Sequence, residues 1–85
     1  MNRKISGDAQ KIMALEIYIK PGCPYCQKAR DYYNDNNIAF VEYDAQNDKR
    51  RQQEMLNYSS GDLVVPCIVE NGEYIASGWG EPPRG

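Results

Sequence analysis

The sequence has no histidine, no long apolar run and little net charge. A net charge of −2 leaves no strongly basic surface, so nucleic acid is not expected among its partners. Its apolar runs extend over only a few residues, and we therefore predict no membrane-spanning helix. Residues 1–12 begin with basic side chains but lack the apolar stretch of a secretory signal, so we expect a cytoplasmic protein.

Cysteine is also scarce, and its number is odd. A secreted scaffold of this size held by disulfides usually carries a larger, even set of cysteines, whereas this chain has three. The low count fits a reducing compartment, where two cysteines separated by two residues are more often catalytic or metal-binding than structural. A tetrahedral zinc site needs four ligands, and three cysteines without histidine do not supply them.

The length of 85 residues indicates one small domain. With 41% hydrophobic and 26% charged residues, the composition is typical of a soluble globular fold and not of a disordered chain. Residues 1–12 are polar and show no convincing period. We therefore predict a flexible extension over residues 1–12 and a folded domain over residues 13–85.

Strand and helix patterns alternate along this domain. β-Branched and aromatic alternation predicts strands, and apolar residues at helical spacing predict helices. Asp48 is the expected N-cap of the second helix, Gly61 its expected end, and Asn71–Gly72 the expected type I′ turn of a hairpin. The predicted elements are a strand at 16–20, a helix at 24–34, a strand at 38–44, a helix at 49–58, a strand at 63–70 interrupted by a proline, and a strand at 73–76.

The β-α-β-α-β-β order of these elements predicts an α/β fold with a mixed four-stranded sheet. Strands separated by helical crossovers are expected to pair in parallel. The terminal hairpin then adds an antiparallel strand at the edge.

The segment Lys20–Gln27, KPGCPYCQ, carries the strongest chemical signal. Cys23 falls at the predicted start of the first helix, where unpaired backbone N–H groups favour an anion and lower a thiol pKa. Lys20 adds a second positive charge, whereas Cys26 lies nearly one turn into the helix and is shielded by it. We therefore predict that Cys23 attacks a substrate disulfide and that Cys26 resolves the resulting mixed disulfide.

In these residues the chain resembles the glutaredoxin family. The Lys-x-x-Cys-Pro-Tyr-Cys pattern follows a strand and opens a helix, and Val65–Pro66 lies in a later strand. The resemblance extends over residues 16–80. It implies a thioredoxin-like fold and a thiol–disulfide oxidoreductase with no bound cofactor and with glutathione as co-substrate. Its other partners would be disulfide-containing proteins and a glutathione or thioredoxin reductase system.

The resemblance also implies a substrate site around the two cysteines. The Val65–Pro66 bond is expected to be cis, and the Val65 backbone is expected to pair with an extended substrate such as glutathione. Tyr25 would flank the substrate, Lys20 would attract a carboxylate, and Gln53 stands where some glutaredoxins contact glutathione. For Lys20 and Gln53, a role as ordinary solvated side chains is the open alternative.

The stretch Ala76–Gly80 departs from the family pattern. Glutaredoxins typically have a Gly-Gly pair here and a nearby acid that binds the γ-glutamyl end of glutathione, and the stretch Ala76–Gly80 has neither. Its Ser-Gly-Trp resembles the Ser-Gly-Phe of glutaredoxin-like redoxins that serve ribonucleotide reductase and accept electrons from thioredoxin reductase. Trp79 is expected either to contact substrate or to pack as a cap on the core.

The carboxyl-terminal helix of the family is expected to be missing or shortened, because Pro82 and Pro83 both block helix propagation. The sheet face that this helix usually covers would be covered by residues 1–12, or left for a partner or a second copy of the chain.

Two further alternatives concern the cysteines. A glutathione-bound iron–sulfur cluster shared between two chains through Cys23 would make the protein a cluster carrier, although the proline of the CPYC motif disfavours this. Cys67 directly follows Pro66 and is expected to be a small, half-buried strand residue more readily than a third redox thiol.

Overall fold

The computed structural model describes residues 15–80 and 82–85. The predicted extension over residues 1–12 therefore lies outside the described residues, as does its predicted covering of a sheet face. Within the described residues, no helix is long and apolar enough to cross a membrane.

Two helices and four strands make up the described chain in the predicted order. They are β1 (Leu15–Ile19), α1 (Pro24–Asp35), β2 (Val41–Asp44), α2 (Lys49–Ser59), β3 (Cys67–Glu70) and β4 (Glu73–Ser77). The strands form one sheet in the order β2-β1-β3-β4. The predicted mixed sheet of a thioredoxin-like fold is thus confirmed.

Local sequence rules account for the beginnings and ends of the helices. Pro24 occupies the first turn of α1, where its missing N–H costs no hydrogen bond. Asp48 caps α2 by accepting hydrogen bonds from two backbone amides, as predicted. The end of α2 differs slightly, because Ser60 and not Gly61 is the left-handed cap residue.

Two strands are shorter than predicted. Residues 38–40 precede β2 because the Ile38 N–H donates to the Tyr33 carbonyl at 2.8 Å and so belongs to the end of α1. β3 begins only at Cys67, since Pro66 has no N–H to donate to a neighbouring strand. The hairpin that follows β3 has positive φ at both Asn71 and Gly72, as a type I′ turn requires.

The direction of β3 corrects the predicted parallel pairing. β1 and β2 are parallel, but β3 runs antiparallel to β1. The reason is the position of the loop after α2. Leu63 and Val65 line a cavity together with Ile19 and Ala45, at the edge where β1 and β2 end. β3 starts at that same edge and must therefore run the opposite way.

The core contains residues from both faces of β1. Neighbouring residues of a strand point to opposite faces, and both Ile17 and Tyr18 are almost fully buried. α2 crosses all four strands, and the Tyr18 hydroxyl donates to Glu54 of that helix at 3.1 Å. α1 contributes Cys26 and Ala29 to the core. This packing holds the start of α1 at the edge of the sheet where β1 ends.

Candidate active site

Cys23 is the N-cap residue of α1, as the sequence predicted. Its backbone N–H donates to the Lys20 carbonyl at 3.2 Å, and its own carbonyl accepts from the Gln27 N–H at 3.2 Å. These bonds fix the turn that joins β1 to α1. The Cys23 side chain is half-buried, so it is both oriented by the fold and open to a reagent.

The surroundings of Cys23 favour its thiolate. Burial alone would raise the pKa of this thiol, but hydrogen bonds from the Cys26 backbone and thiol and from the Tyr25 backbone outweigh burial. The positive charge of Lys20 acts in the same direction as these hydrogen bonds. The pKa of Cys23 is therefore lowered from the ordinary thiol value, and a thiolate is the form that attacks disulfides.

Cys26 has the opposite character. It is completely buried, and burial raises the pKa of its thiol to about 11. A backbone hydrogen bond at Lys20 opposes this increase, while the neighbouring Cys23 sulfur adds to it. The two thiols of one turn are thus unequal: one is accessible and acidic, and the other is enclosed and protonated at neutral pH.

The Val65–Pro66 bond is cis, as predicted. Pro66 is fully buried, and its carbonyl accepts a hydrogen bond of 2.8 Å from the Gly78 N–H. This bond ties the end of β4 to the loop before β3. The Val65 backbone was expected to pair with substrate, and its carbonyl lies so close to Gly85 that a Cβ on Gly85 would overlap it.

The cavity beside the nucleophile has a volume of about 360 Å³ and is here named the Cys23 cavity. Its walls consist of residues 20–25, which include the predicted Lys20 and Tyr25, together with Gln46 and Gly85. A second cavity of about 190 Å³ adjoins it through Lys20 and Gln46 and reaches Val65, and is here named the inner cavity.

Gln53 is not brought to these cavities. It is exposed and donates to Asn57 on the surface of α2 at 3.0 Å. Gln52 lines the inner cavity instead and donates to the Ala45 carbonyl at 3.1 Å. Helical spacing gives the reason, because Gln52 precedes the buried Met55 by three residues and shares its face, whereas Gln53 does not.

Trp79 packs against α1. Its ring centroid lies 5.6 Å from that of Tyr32 and 5.6 Å from that of Tyr33. It also lines a third cavity together with Tyr25. The structure thus gives Trp79 the core contact that was one of its two expected roles, and its ring also shares a cavity with Tyr25 of the CPYC motif.

Cys67 is fully buried in β3, and burial raises the pKa of its thiol to about 11, against a hydrogen bond from Ser77. All three cysteines are free thiols. Within residues 15–80 and 82–85, no group of histidine, cysteine and acidic side chains has the size and spacing to hold a metal ion.

Several residues at the site were missed by sequence reasoning. Gln46 follows β2, and the carboxyl ends of the parallel strands β1 and β2 lie at the same edge of the sheet. The strand pattern could therefore have predicted that Gln46 lies near the end of β1. Lys28 and Arg84 line the third cavity, and Gly85 the Cys23 cavity. For Arg84 and Gly85 the sequence carries no signal, since their position depends on how the last residues fold back.

The sheet is thioredoxin-like, and at the start of α1 it presents two thiols that differ in exposure and in pKa. These features place the protein in the class of thiol–disulfide oxidoreductases. The family model described as Glutaredoxin matches residues 15–75. The chain belongs to the glutaredoxin family. The match ends before the Ser-Gly-Trp loop, so that loop and the residues after it lie outside the matched region.

Two relatives illustrate this membership, and one solved structure illustrates the fold. A glutaredoxin-like 8.6 kDa protein of the rubredoxin operon of Clostridium pasteurianum, itself uncharacterized, is 36% identical over 61 residues, covering 72% of this chain and 80% of that protein. Glutaredoxin 3 of Escherichia coli K12 is 31% identical over 61 residues, covering 72% of each. A buckwheat glutaredoxin–glutathione complex has a TM-score of 0.64 at 18% identity, covering 84% of this chain and 69% of that one, and shows the shared fold.

Proposed function

We propose that the protein reduces protein disulfides or glutathione mixed disulfides through Cys23 and Cys26, with glutathione as the reductant that restores the dithiol. The observation that carries this proposal is the contrast between the two thiols of one turn. Cys23 is accessible with a lowered pKa, and Cys26 is buried with a raised pKa. No cofactor takes part, because the two thiols exchange the electrons.

The reaction proceeds in two balanced steps. In the first, the Cys23 thiolate attacks one sulfur of the substrate disulfide, the substrate S–S bond breaks, and one substrate thiolate leaves. In the second, Cys26 gives its proton to the departing thiolate and attacks the Cys23 sulfur. The mixed disulfide breaks and the second substrate thiol is released. The substrate is then reduced by two electrons, and Cys23 and Cys26 are oxidised to a disulfide.

The substrate would occupy the Cys23 cavity in an extended conformation. Lys20 supplies a positive charge for a substrate carboxylate, and Tyr25 supplies an apolar wall. Pairing with the Val65 backbone requires Gly85 to move away from the Val65 carbonyl. Glutathione fits this role in length and charge, and the buckwheat relative of the same fold binds it.

A redoxin reduced by thioredoxin reductase is the second candidate. The favouring observation is the loop after β4, where Trp79 packs on Tyr32 and Tyr33 in a segment outside the glutaredoxin match. The acid that would bind the γ-glutamyl group of glutathione is absent from the Ala76–Gly80 stretch. Such a protein would perform the same two steps with a different electron donor.

The deciding experiment mixes the oxidised protein with reduced glutathione at cellular concentration and follows the intact mass. We expect a transient glutathione adduct on Cys23, followed by a product heavier by two hydrogens and lacking glutathione. If the disulfide persists with glutathione but opens with NADPH and thioredoxin reductase, the second candidate is correct. If neither system opens it, both proposals fail.

A further inference from the structure

A third cavity lies between the start of α1 and the loop that follows β4. We name it the cationic cleft. Its volume is about 460 Å³. It is lined by Tyr25, Lys28, Trp79, Gly80, Pro82 and Arg84. Tyr25 also borders the Cys23 cavity, so whatever occupies the cleft lies directly beside the substrate disulfide.

The loop that builds one wall of the cleft is held in place by the backbone. The Trp79 N–H donates to the Arg84 carbonyl at 2.7 Å, and the Arg84 N–H donates to the Trp79 carbonyl at 2.9 Å. Gly78 is required here, since a Cβ at this position would lie 2.9 Å from the Arg84 nitrogen. The cleft is therefore a formed feature of the fold, and Arg84 stands at a defined position in its wall.

The two cations of the cleft have no acidic partner within the described residues. Lys28 lies 5.5 Å from the centre of the Tyr25 ring, which is a cation–π contact. The neighbouring Arg30, by contrast, is paired with Glu42 at 2.7 Å. Lys28 and Arg84 line one concave site together with the rings of Tyr25 and Trp79. Cationic side chains can bind a carboxylate, and aromatic rings can contact an apolar group next to it.

We propose that the cationic cleft binds an acidic side chain of the protein substrate next to the reacting disulfide, and that Lys28 and Arg84 determine specificity for such substrates. This inference rests on the proposed disulfide reduction. A protein segment is the expected source of the carboxylate, because glutathione is already assigned to the Cys23 cavity and Lys20 in the proposed function, and the cleft shares only Tyr25 with that cavity. The rings of Tyr25 and Trp79 then contact the apolar parts of the same segment.

The test uses the fully reduced protein and two cyclic disulfide peptides with blocked termini. One peptide carries glutamate next to a cysteine and the other carries glutamine. The second-order rate of peptide reduction is measured in a single turnover, so no external reductant is needed. At low ionic strength we expect the glutamate peptide to react about fivefold to tenfold faster, and the advantage to shrink in about 0.5 M salt.

Two variants locate the origin of this preference. Lys28→Gln combined with Arg84→Gln should bring the two rates together by slowing reduction of the glutamate peptide. Arg50→Gln removes one exposed positive charge on α2, away from the cleft, and should preserve the full preference. Equal rates for both peptides with the unmodified protein, or a preference that survives the double variant, would overturn the inference.

A further measurement uses glutathione disulfide as the substrate of the same variants. If the double variant slows reduction of glutathione disulfide but leaves both peptide rates unchanged, the cleft serves a carboxylate of glutathione and the assignment to a protein substrate is wrong. If the unmodified protein reduces neither peptide nor glutathione disulfide, the proposed function itself fails. That result is distinct from a loss of preference.

Discussion

The backbone N–H of Cys23 donates a hydrogen bond of 3.2 Å to the carbonyl of Lys20. Cys23 and the cation that helps to lower its pKa are therefore held in one turn, between the end of β1 and the start of α1. The lowered pKa of Cys23 follows in part from this arrangement, since the charge of Lys20 acts on the thiolate together with the hydrogen bonds from Cys26 and Tyr25.

Replacing each cysteine in turn should separate the two chemical roles. Cys23→Ser removes the accessible thiolate and should lower disulfide reductase activity by more than about 1,000-fold. Cys26→Ser leaves the nucleophile in place, so reduction of glutathione mixed disulfides should persist while reduction of protein disulfides stops at the mixed disulfide. Intact mass would show the trapped adduct. Retention of activity by Cys23→Ser would contradict the assigned roles.

Lys20→Gln should make Cys23 a less reactive thiol at low pH. Removing the positive charge raises the pKa of Cys23, so the thiolate fraction near pH 6 decreases. We expect alkylation by iodoacetamide to slow by about twofold to fivefold, the range typical of one partly exposed charge interaction. Arg50→Gln serves as a charge-matched control and should alkylate at the original rate. An unchanged rate for Lys20→Gln would show that the backbone hydrogen bonds alone set the pKa.

The stability of the reduced protein should decrease at alkaline pH. Burial raises the pKa of Cys26 and of Cys67 to about 11, whereas the unfolded chain releases these protons near the ordinary thiol value. The folded state therefore holds more protons between these values, and the free energy of unfolding falls as pH rises through that window. Burial and Glu54 also raise the pKa of Tyr18, which adds to the same trend.

Denaturant unfolding between pH 9 and pH 10.5 measures this effect. The lowered pKa of Cys23 acts in the opposite sense until the thiol of the unfolded chain is also deprotonated, so it offsets a small part of the loss at the low end of this range. We expect a loss of roughly 1–2 kcal/mol for each buried thiol. Cys67→Ala lowers the overall stability but should also reduce the slope against pH. A slope that is unchanged in this variant would mean that Cys67 does not titrate as its burial requires.

Gln52 and Gln53 form a matched pair on neighbouring positions of α2. Gln52 lines the inner cavity beside Val65, whereas Gln53 is exposed and bonded to Asn57. Gln52→Ala should raise the KM for glutathione by about twofold to fivefold, consistent with loss of one hydrogen bond. Gln53→Ala should leave it unchanged. The reverse result would restore Gln53 as the contact that the family resemblance implies.

Features set by neighbouring residues could be predicted from the sequence. Pro24 and Asp48 mark the starts of both helices, and Asn71–Gly72 marks the hairpin, because each depends on local backbone geometry. The position of Cys23 at the start of α1 followed from the same local rules. This part of the site was therefore accessible without coordinates.

Features set by distant parts of the chain could not be predicted in the same way. The direction of β3 depends on where the loop before Val65 lies, and a helical crossover alone suggested the parallel arrangement. The positions of Arg84 and Gly85 depend on how the chain folds back across Gly78 after β4. No periodic pattern encodes such a contact, so the cationic cleft appears only in three dimensions.

The most direct test of the account exposes the fully reduced protein to one equivalent of a disulfide peptide and maps its cysteines after acid quenching. The account predicts a protein lighter by two hydrogens, with a disulfide that links Cys23 to Cys26 and with Cys67 still a free thiol. A disulfide that includes Cys67, or a protein that keeps all three thiols while the peptide stays oxidised, would contradict it.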